Sequence, residues 1–305
     1  MSWVRTPSPA PCKAPPAGGA LLSARPGCVM PARLKPLIRR GPTRRAKASA
    51  PPADPRRRLL RAMDLLEANL GQPQWDGPKD ALEVLVLTIL SQNTNDRNAL
   101  AAYQNLVRKF PAGPARPDSL PRNADGQLDK IKLRLSDAAR AVAPPRWDDV
   151  ASLSAGELAE IIRVAGLPAS KAKSILALLH WLRDRGGYRL EEQIGKLGME
   201  QAMAEMTRIK GIGVKTAAVT LIEAMGADLC PVDTHVHRII NRLGIVQTKA
   251  ARDRTFALLR ELVPAGRAYA LHHNLLTFGR TVCLARRPKC DECPLARLCP
   301  SRGKG

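Results

Sequence analysis

The chain has 305 residues, 45% of them hydrophobic, with 49 Lys+Arg against 27 Asp+Glu and a formal net charge of +22. That length suits about two domains with a sizeable core. The charge points to a polyanionic partner, nucleic acid before an anionic membrane surface. Three Phe, three Tyr and four Trp are too few for a binder that stacks successive bases on aromatic platforms. No apolar run approaches the ~18 residues of a membrane span; the best, Ala81–Leu90, is about half that. Seven cysteines, an odd number with four crowded near the C-terminus, suggest metal ligation and not a secreted disulfide framework.

The charge is unevenly spread. Residues 1–58 carry thirteen Lys/Arg against one acid, Asp54, and twelve of the 26 prolines. A Pro-rich, charge-biased stretch cannot bury enough apolar surface to offset its ordering entropy, so residues 1–55 are expected to be disordered. Three explanations compete for this tail: a basic arm with nonspecific phosphate affinity, an organellar transit peptide, or a start placed too early, with Met30 or Met63 as alternatives. Cys12 and Cys28 go with it and are assigned no role.

From Arg57 onward the hydrophobic period is 3.6 and the expected fold is all-α. Ser154-x-x-Glu157 is a capping box for a helix with Leu158, Ile161 and Ile162 that stops near Gly166. Ser170 reads as the cap of a helix carrying Ile175, Leu178, Leu179 and Leu182, closed by Gly186-Gly187. Met199, Met203 and Met206 form a further stripe, expected in the core. Val214, Ala217, Ala218, Leu221, Ile222 and Met225 make the cleanest stripe, closed by Gly226. Helices through Val236–Leu243, through Phe256, Leu259 and Val263, and through Leu271, Leu275 and Phe278 to Gly279 complete the series. Residues 111–149 interrupt it with six prolines, Gly113, Gly126 and the basic Lys130-Ile131-Lys132-Leu133-Arg134. They read mostly as a long loop, with one short helix conceivable over 127–142.

Three constellations carry chemistry. In Ile209-Lys210-Gly211-Ile212-Gly213-Val214-Lys215-Thr216 a Gly-x-Gly turn joins two helical patterns, with Ile209 and Ile212 as core anchors. Its glycines let backbone approach a phosphate, and the next helix N-terminus adds partial positive charge. Such a helix-hairpin-helix grips the sugar-phosphate backbone without reading bases; as a bare turn it needs no ligand. Lys215 falls in the first turn of the new helix beside its apolar stripe, where the ammonium is disfavoured and a nucleophilic amine results. The plain alternative is a solvated lysine. Asp233, in Pro231-Val232-Asp233-Thr234-His235, is an N-cap whatever else it does, and spacing alone leaves its pairing with Lys215 open. The third is Cys283, Cys290, Cys293 and Cys299, spaced C-x6-C-x2-C-x5-C. One C-x2-C pair is fewer than a structural zinc site usually shows, and four compact thiolates also suit a cubane iron–sulfur cluster. Arg286, Arg287 and Lys289 lie between the first two ligands, either meeting phosphates or simply solvated. Cys230 stands outside the set as a buried small hydrophobe.

The hairpin, the Val232-Asp233-Thr234-His235 string and the cysteine spacing, in this order over about residues 57–300, resemble the endonuclease III family of helix-hairpin-helix DNA glycosylases. The resemblance implies a six-helix helix-hairpin-helix domain, residues 75–227 with an insertion at about 111–149, packed against a second helical domain. The latter would comprise residues 228–305, its [4Fe–4S] cluster held by Cys283, Cys290, Cys293 and Cys299, together with an N-terminal helix at 56–74. It implies Lys215 as catalytic lysine and Asp233 as catalytic aspartate, hence a bifunctional DNA glycosylase and abasic-site lyase acting on oxidised pyrimidines. The implied partner is double-stranded DNA with damaged bases or abasic sites, bound by a monomer without membrane contact. A cytoplasmic, nucleoid-associated location follows, with organellar targeting by the tail left open. Gly211 and Gly213 would meet the backbone. Leu167, after Gly166, matches the family's wedging leucine. Two positions depart from the pattern. Lys210 stands where Pro is usual, and in Leu90-Ser91-Gln92-Asn93 it is Asn93 that lies in register with the family's gap-filling Gln, Gln92 coming one residue early. The competing readings are a non-catalytic DNA-binding paralogue, a mismatch- or uracil-directed glycosylase and a zinc-stabilised glycosylase.

Overall fold

A computed structural model describes residues 54–113 and 143–304. The expectations for the tail before Asp54, with Cys12 and Cys28, and for a helix at 127–142 lie outside the described residues. Among the described residues there are twelve α-helices and no strand. They are α1 (Pro55–Leu70), α2 (Ala81–Leu90), α3 (Asp96–Lys109), α4 (Trp147–Ala151), α5 (Ala155–Ile161), α6 (Pro168–Arg183), α7 (Leu190–Leu197), α8 (Met199–Arg208), α9 (Val214–Met225), α10 (Thr234–Arg242), α11 (Arg252–Leu262) and α12 (Ala268–Thr281). The all-α expectation holds; between residues 75 and 227 six of the helices, α2, α3 and α6–α9, have eight residues or more.

The buried apolar residues form two clusters. The first is centred on α2, whose ten residues are all buried. A helix that is apolar all round belongs inside other helices. Leu100, Tyr103 and Leu106 of α3, Ile175, Leu178, Leu179 and Leu182 of α6, and Ala217, Leu221 and Ile222 of α9 surround it. The second gathers Leu59, Met63 and Leu66 of α1 with Val236, Ile239 and Ile240 of α10, Leu259, Leu271, Leu275 and Phe278. Leu295 and Leu298, between the clustered cysteines, are buried in it too. α9 faces both clusters, contributing Ala217 to the first and its neighbour Ala218 to the second. Cys230 is buried in the second, where burial pushes its thiol far up.

Local signals were kept where side chains cap. Ser154 and Glu157 form the capping box of α5, and Gly226 closes α9 in the left-handed conformation. The helix starting near Ser170 begins instead at Pro168, so Ser170 sits inside α6; a proline at the first helical position has the required φ and needs no partner for its missing N–H. Met199 is exposed where the stripe placed it in the core, because it is the first residue of α8, while Met206 is buried. α12 continues two residues past Gly279, which is small because α10 passes close: a Cβ there would meet His235 Nδ1 at 2.6 Å. The end of the presumed loop 111–149 is also helical, as α4 begins at Trp147. The two ends of the segment meet, with Pro111 bridged to Pro145 and Arg146 N donating to Phe110 O at 2.7 Å.

Candidate active site and iron–sulfur loop

α8 ends at Arg208, and the chain reverses through Gly211, at φ +94°, into Gly213, the N-cap of α9. Ile209 and Ile212 are buried and anchor the turn, leaving Lys210, Gly211 and Gly213 exposed. Gly213 offers no side-chain cap, so the first N–H groups of α9 are free to bind an anion. Gly211 also lies against α6: a Cβ would come to 3.0 Å from Ser174 Cβ and closer still to its hydroxyl. Gly211→Ala should therefore cost about 1–3 kcal/mol from the left-handed backbone, with weaker duplex binding. Denaturant melts and a binding isotherm check this; an alanine variant matching the parent in both would sink the argument.

Lys215 is the second residue of α9 and is half-buried. Burial holds its ammonium below the ordinary lysine range, with the carboxylates of Asp233 and then Asp96 pulling the other way. The structure thus brings Lys215 and Asp233 into one electrostatic neighbourhood, which the helix pattern alone left open. Asp233 is the N-cap of α10, its Oδ1 accepting from Val236 N at 2.8 Å. Three more residues converge here that pattern reading missed. Asp96, the first residue of α3, pairs with Arg280 of α12 at 3.4 Å. His272, buried in α12, has Nδ1 3.0 Å from the carbonyl of Pro231, to which its N–H donates, two residues before Asp233. Burial drives the His272 ring far below its usual range, so it is neutral. Only the shared apolar faces of α9, α10 and α12 could have signalled this convergence, and they do not name the polar residues.

The residues expected to enter DNA separate clearly. Gln92 is tied down, its Nε2 donating to Gly211 O at 2.9 Å and to Thr216 Oγ1 at 3.2 Å. Asn93, one residue on, is exposed at φ +53°. Leu167 is 57% exposed at φ +49°, directly after Gly166. Arg287 shares that conformation, and Arg286, Arg287 and Lys289 are all exposed on the loop between the first two cysteines.

Cys283, Cys290, Cys293 and Cys299 line one cavity together with Val282 and Arg242. All four thiols are free, and three of them pack on the second core. Burial raises the Cys293 thiol to about 11, with Cys283, Cys299 and Cys290 adding to the shift. Among the described residues no three His, Cys, Asp or Glu converge as one metal ion requires. Four free thiols lining one cavity fit a [4Fe–4S] cluster, which takes four cysteine ligands. Arg242 braces the loop, donating to Cys283 Sγ at 3.5 Å, Leu284 O at 2.7 Å and Ala285 O at 2.9 Å.

The family model for the HhH-GPD superfamily base excision DNA repair protein matches residues 86–265, more than half of the chain. With an endonuclease III homolog 31% identical over 219 residues, the chain belongs to the endonuclease III family of that superfamily. The model for the iron–sulfur binding domain of endonuclease III matches residues 283–299, and the cofactor of the chain is a [4Fe–4S] cluster. The chain is 28% identical over 229 residues to endonuclease III of Thermotoga maritima, covering 74% of this chain and 87% of that protein. It is 31% identical to an endonuclease III homolog of Encephalitozoon cuniculi, covering 72% of this chain and 78% of that one. A solved non-covalent endonuclease III–DNA complex superposes with a TM-score of 0.60 at 23% identity, over 82% of this chain and 97% of that one, a likeness of fold. As a member of the family the protein is a DNA glycosylase of base excision repair. For the exposed cysteine loop, replacing Arg286, Arg287 and Lys289 by Ala should flatten the salt dependence of DNA binding by roughly one unit of slope per lost phosphate contact. An unchanged slope would turn this loop away from DNA.

Proposed function

We propose that the protein is a bifunctional glycosylase and abasic-site lyase that removes oxidised pyrimidines from duplex DNA as a monomer. The observation carrying this reading is the Lys215 ammonium, disfavoured by burial and within electrostatic reach of the Asp233 carboxylate. Neutral Lys215 Nζ bonds to the sugar C1′ while the C1′–base bond breaks and the base leaves with the electron pair. Asp233 stabilises the positive charge developing on the sugar and accepts a proton from the attacking amine. Ring opening yields an imine, and loss of a C2′ proton then expels the 3′-phosphate. The cluster holds the loop of Arg286, Arg287 and Lys289 against the backbone, while Gly211 and Gly213 bind it from the hairpin. Asn93 fills the space of the flipped nucleotide, since Gln92 is engaged by the hairpin, and Leu167 wedges into the opposite strand. Residues 75–227 form one domain in this reading, and residues 56–74 with 228–305 the other.

The test is borohydride trapping on a duplex carrying an oxidised pyrimidine. A covalent adduct and a β-elimination nick are expected. Base release without either would make the enzyme monofunctional, and binding without release would make it a non-catalytic paralogue.

A further inference from the structure

Lys171, in the first turn and a half of α6, is only 2% exposed and has no carboxylate partner among its hydrogen bonds. Its Nζ donates to Leu90 O and to Ala165 O, each at 2.7 Å. Both acceptors are helix-terminal carbonyls with unmet hydrogen-bonding capacity. Leu90 ends α2 and Ala165 ends the 3-10 turn Arg163–Ala165. From Leu90 the chain runs through Ser91 and Gln92 to Asn93; from Ala165 it runs through Gly166 to Leu167. The described residues contain four non-glycine residues at positive φ, and Asn93 and Leu167 are two of them. Residues in that conformation persist only where their surroundings over-determine them. One buried cation 2.7 Å from the root of each loop is such a constraint. Ser174, one turn further along α6, abuts Gly211 of the hairpin.

We propose that Lys171 is a positioning residue for strand intrusion, its ammonium locking the Asn93 segment and the Leu167 segment into one frame so that both enter the duplex together. This rests on the intrusion roles proposed above for Asn93 and Leu167. A buried ammonium costs desolvation, and burial brings this one down to about 8; two short charge-assisted bonds offset that cost. A methionine or leucine would serve the core better if packing were the whole requirement.

The full-length, cluster-loaded protein tests this with Lys171→Met, Lys171→Arg, the Asn93→Ala/Leu167→Ala double variant and the triple combination with Lys171→Met. Two readouts are taken on an abasic-site duplex: fluorescence of 2-aminopurine opposite the site, and borohydride trapping relative to the same abasic strand unpaired. A single strand has no partner base to displace, so a merely structural defect lowers both trapping yields equally. Lys171→Met should lower the duplex-to-single-strand ratio roughly tenfold and quench the fluorescence rise, with no further loss in the triple variant. Lys171→Arg, which can reach both carbonyls, should recover most of the ratio. A parental ratio in Lys171→Met, or an additive loss in the triple variant, overturns the inference. If the double variant alone behaves as the parent, the intrusion roles fail and the inference with them. If the double variant loses the signal while Lys171→Met keeps it, only the Lys171 inference fails. Should Lys171→Met not fold, Lys171→Gln takes its place under the same expectations.

Discussion

Lys215→Ala is expected to abolish the borohydride-trapped adduct and to slow base release by about three orders of magnitude or more, the usual scale for deleting a covalent nucleophile. Burial of Lys215 disfavours its ammonium and so enlarges the neutral fraction that can act as a nucleophile. Activity should therefore rise with pH through a value below the ordinary lysine range and then level off. Stability moves with pH in the same direction. Because the folded protein holds this proton more weakly than the unfolded chain, Lys215 in its charged form opposes folding at low pH, and that opposition fades as pH climbs towards the ordinary lysine value. The alanine variant should melt no lower than the parent at neutral pH, showing inactivity without unfolding. Asp233→Asn is the companion. Asparagine caps a helix as well as aspartate, so the bond to Val236 N survives while the carboxylate's charge does not. A fully active Asn variant would remove Asp233 from the chemistry.

The second large effect concerns the cluster ligands. Cys293→Ala should bleach the iron–sulfur absorption near ~400 nm and release the loop that carries Leu295 and Leu298. These two buried leucines contribute roughly 1.5–3 kcal/mol each, so the melting transition should fall well beyond the effect of a surface substitution. DNA binding should weaken at least as much as in the Arg286/Arg287/Lys289 triple alanine variant, whose absorption stays intact. A stable, colourless Cys293→Ala protein with parental DNA affinity would mean that the loop holds itself together, with Arg242 alone as its brace.

Much of this site was legible from local chemistry. A serine followed by glutamate three residues later has few uses besides starting a helix, and Ser154 starts α5. Ile209 and Ile212 flanking glycine had to be anchors, and they are buried. Four cysteines within 17 residues could scarcely avoid sharing one centre. What escaped depends on distance in space. Nothing within α6 says that Lys171 faces carbonyls from α2 and the 3-10 turn, and a lysine amid Ser170 and Lys173 looks solvated. The buried group formed by Glu223, His273 2.9 Å away and Lys79 3.6 Å away is likewise spread over three elements. Pro168 starts this helix two residues ahead of Ser170, its fixed φ already being the helical one.

The junction of Pro111 with Pro145 has a consequence for how this enzyme can vary. The chain leaves the first core and re-enters it at a single point, fixed by the Phe110–Arg146 hydrogen bond and by Arg146 Nη1 donating to Pro111 O at 2.9 Å. The approach of α3 to α4 at this seam is held by contacts among residues 110, 111, 145 and 146. For a flexible insert joined at such a seam, doubling or halving its length changes the closure entropy by only about 0.6 kcal/mol. The seam is a port, where a longer chain, a grafted fluorophore or a fusion partner should be accepted without shifting α3 against α4.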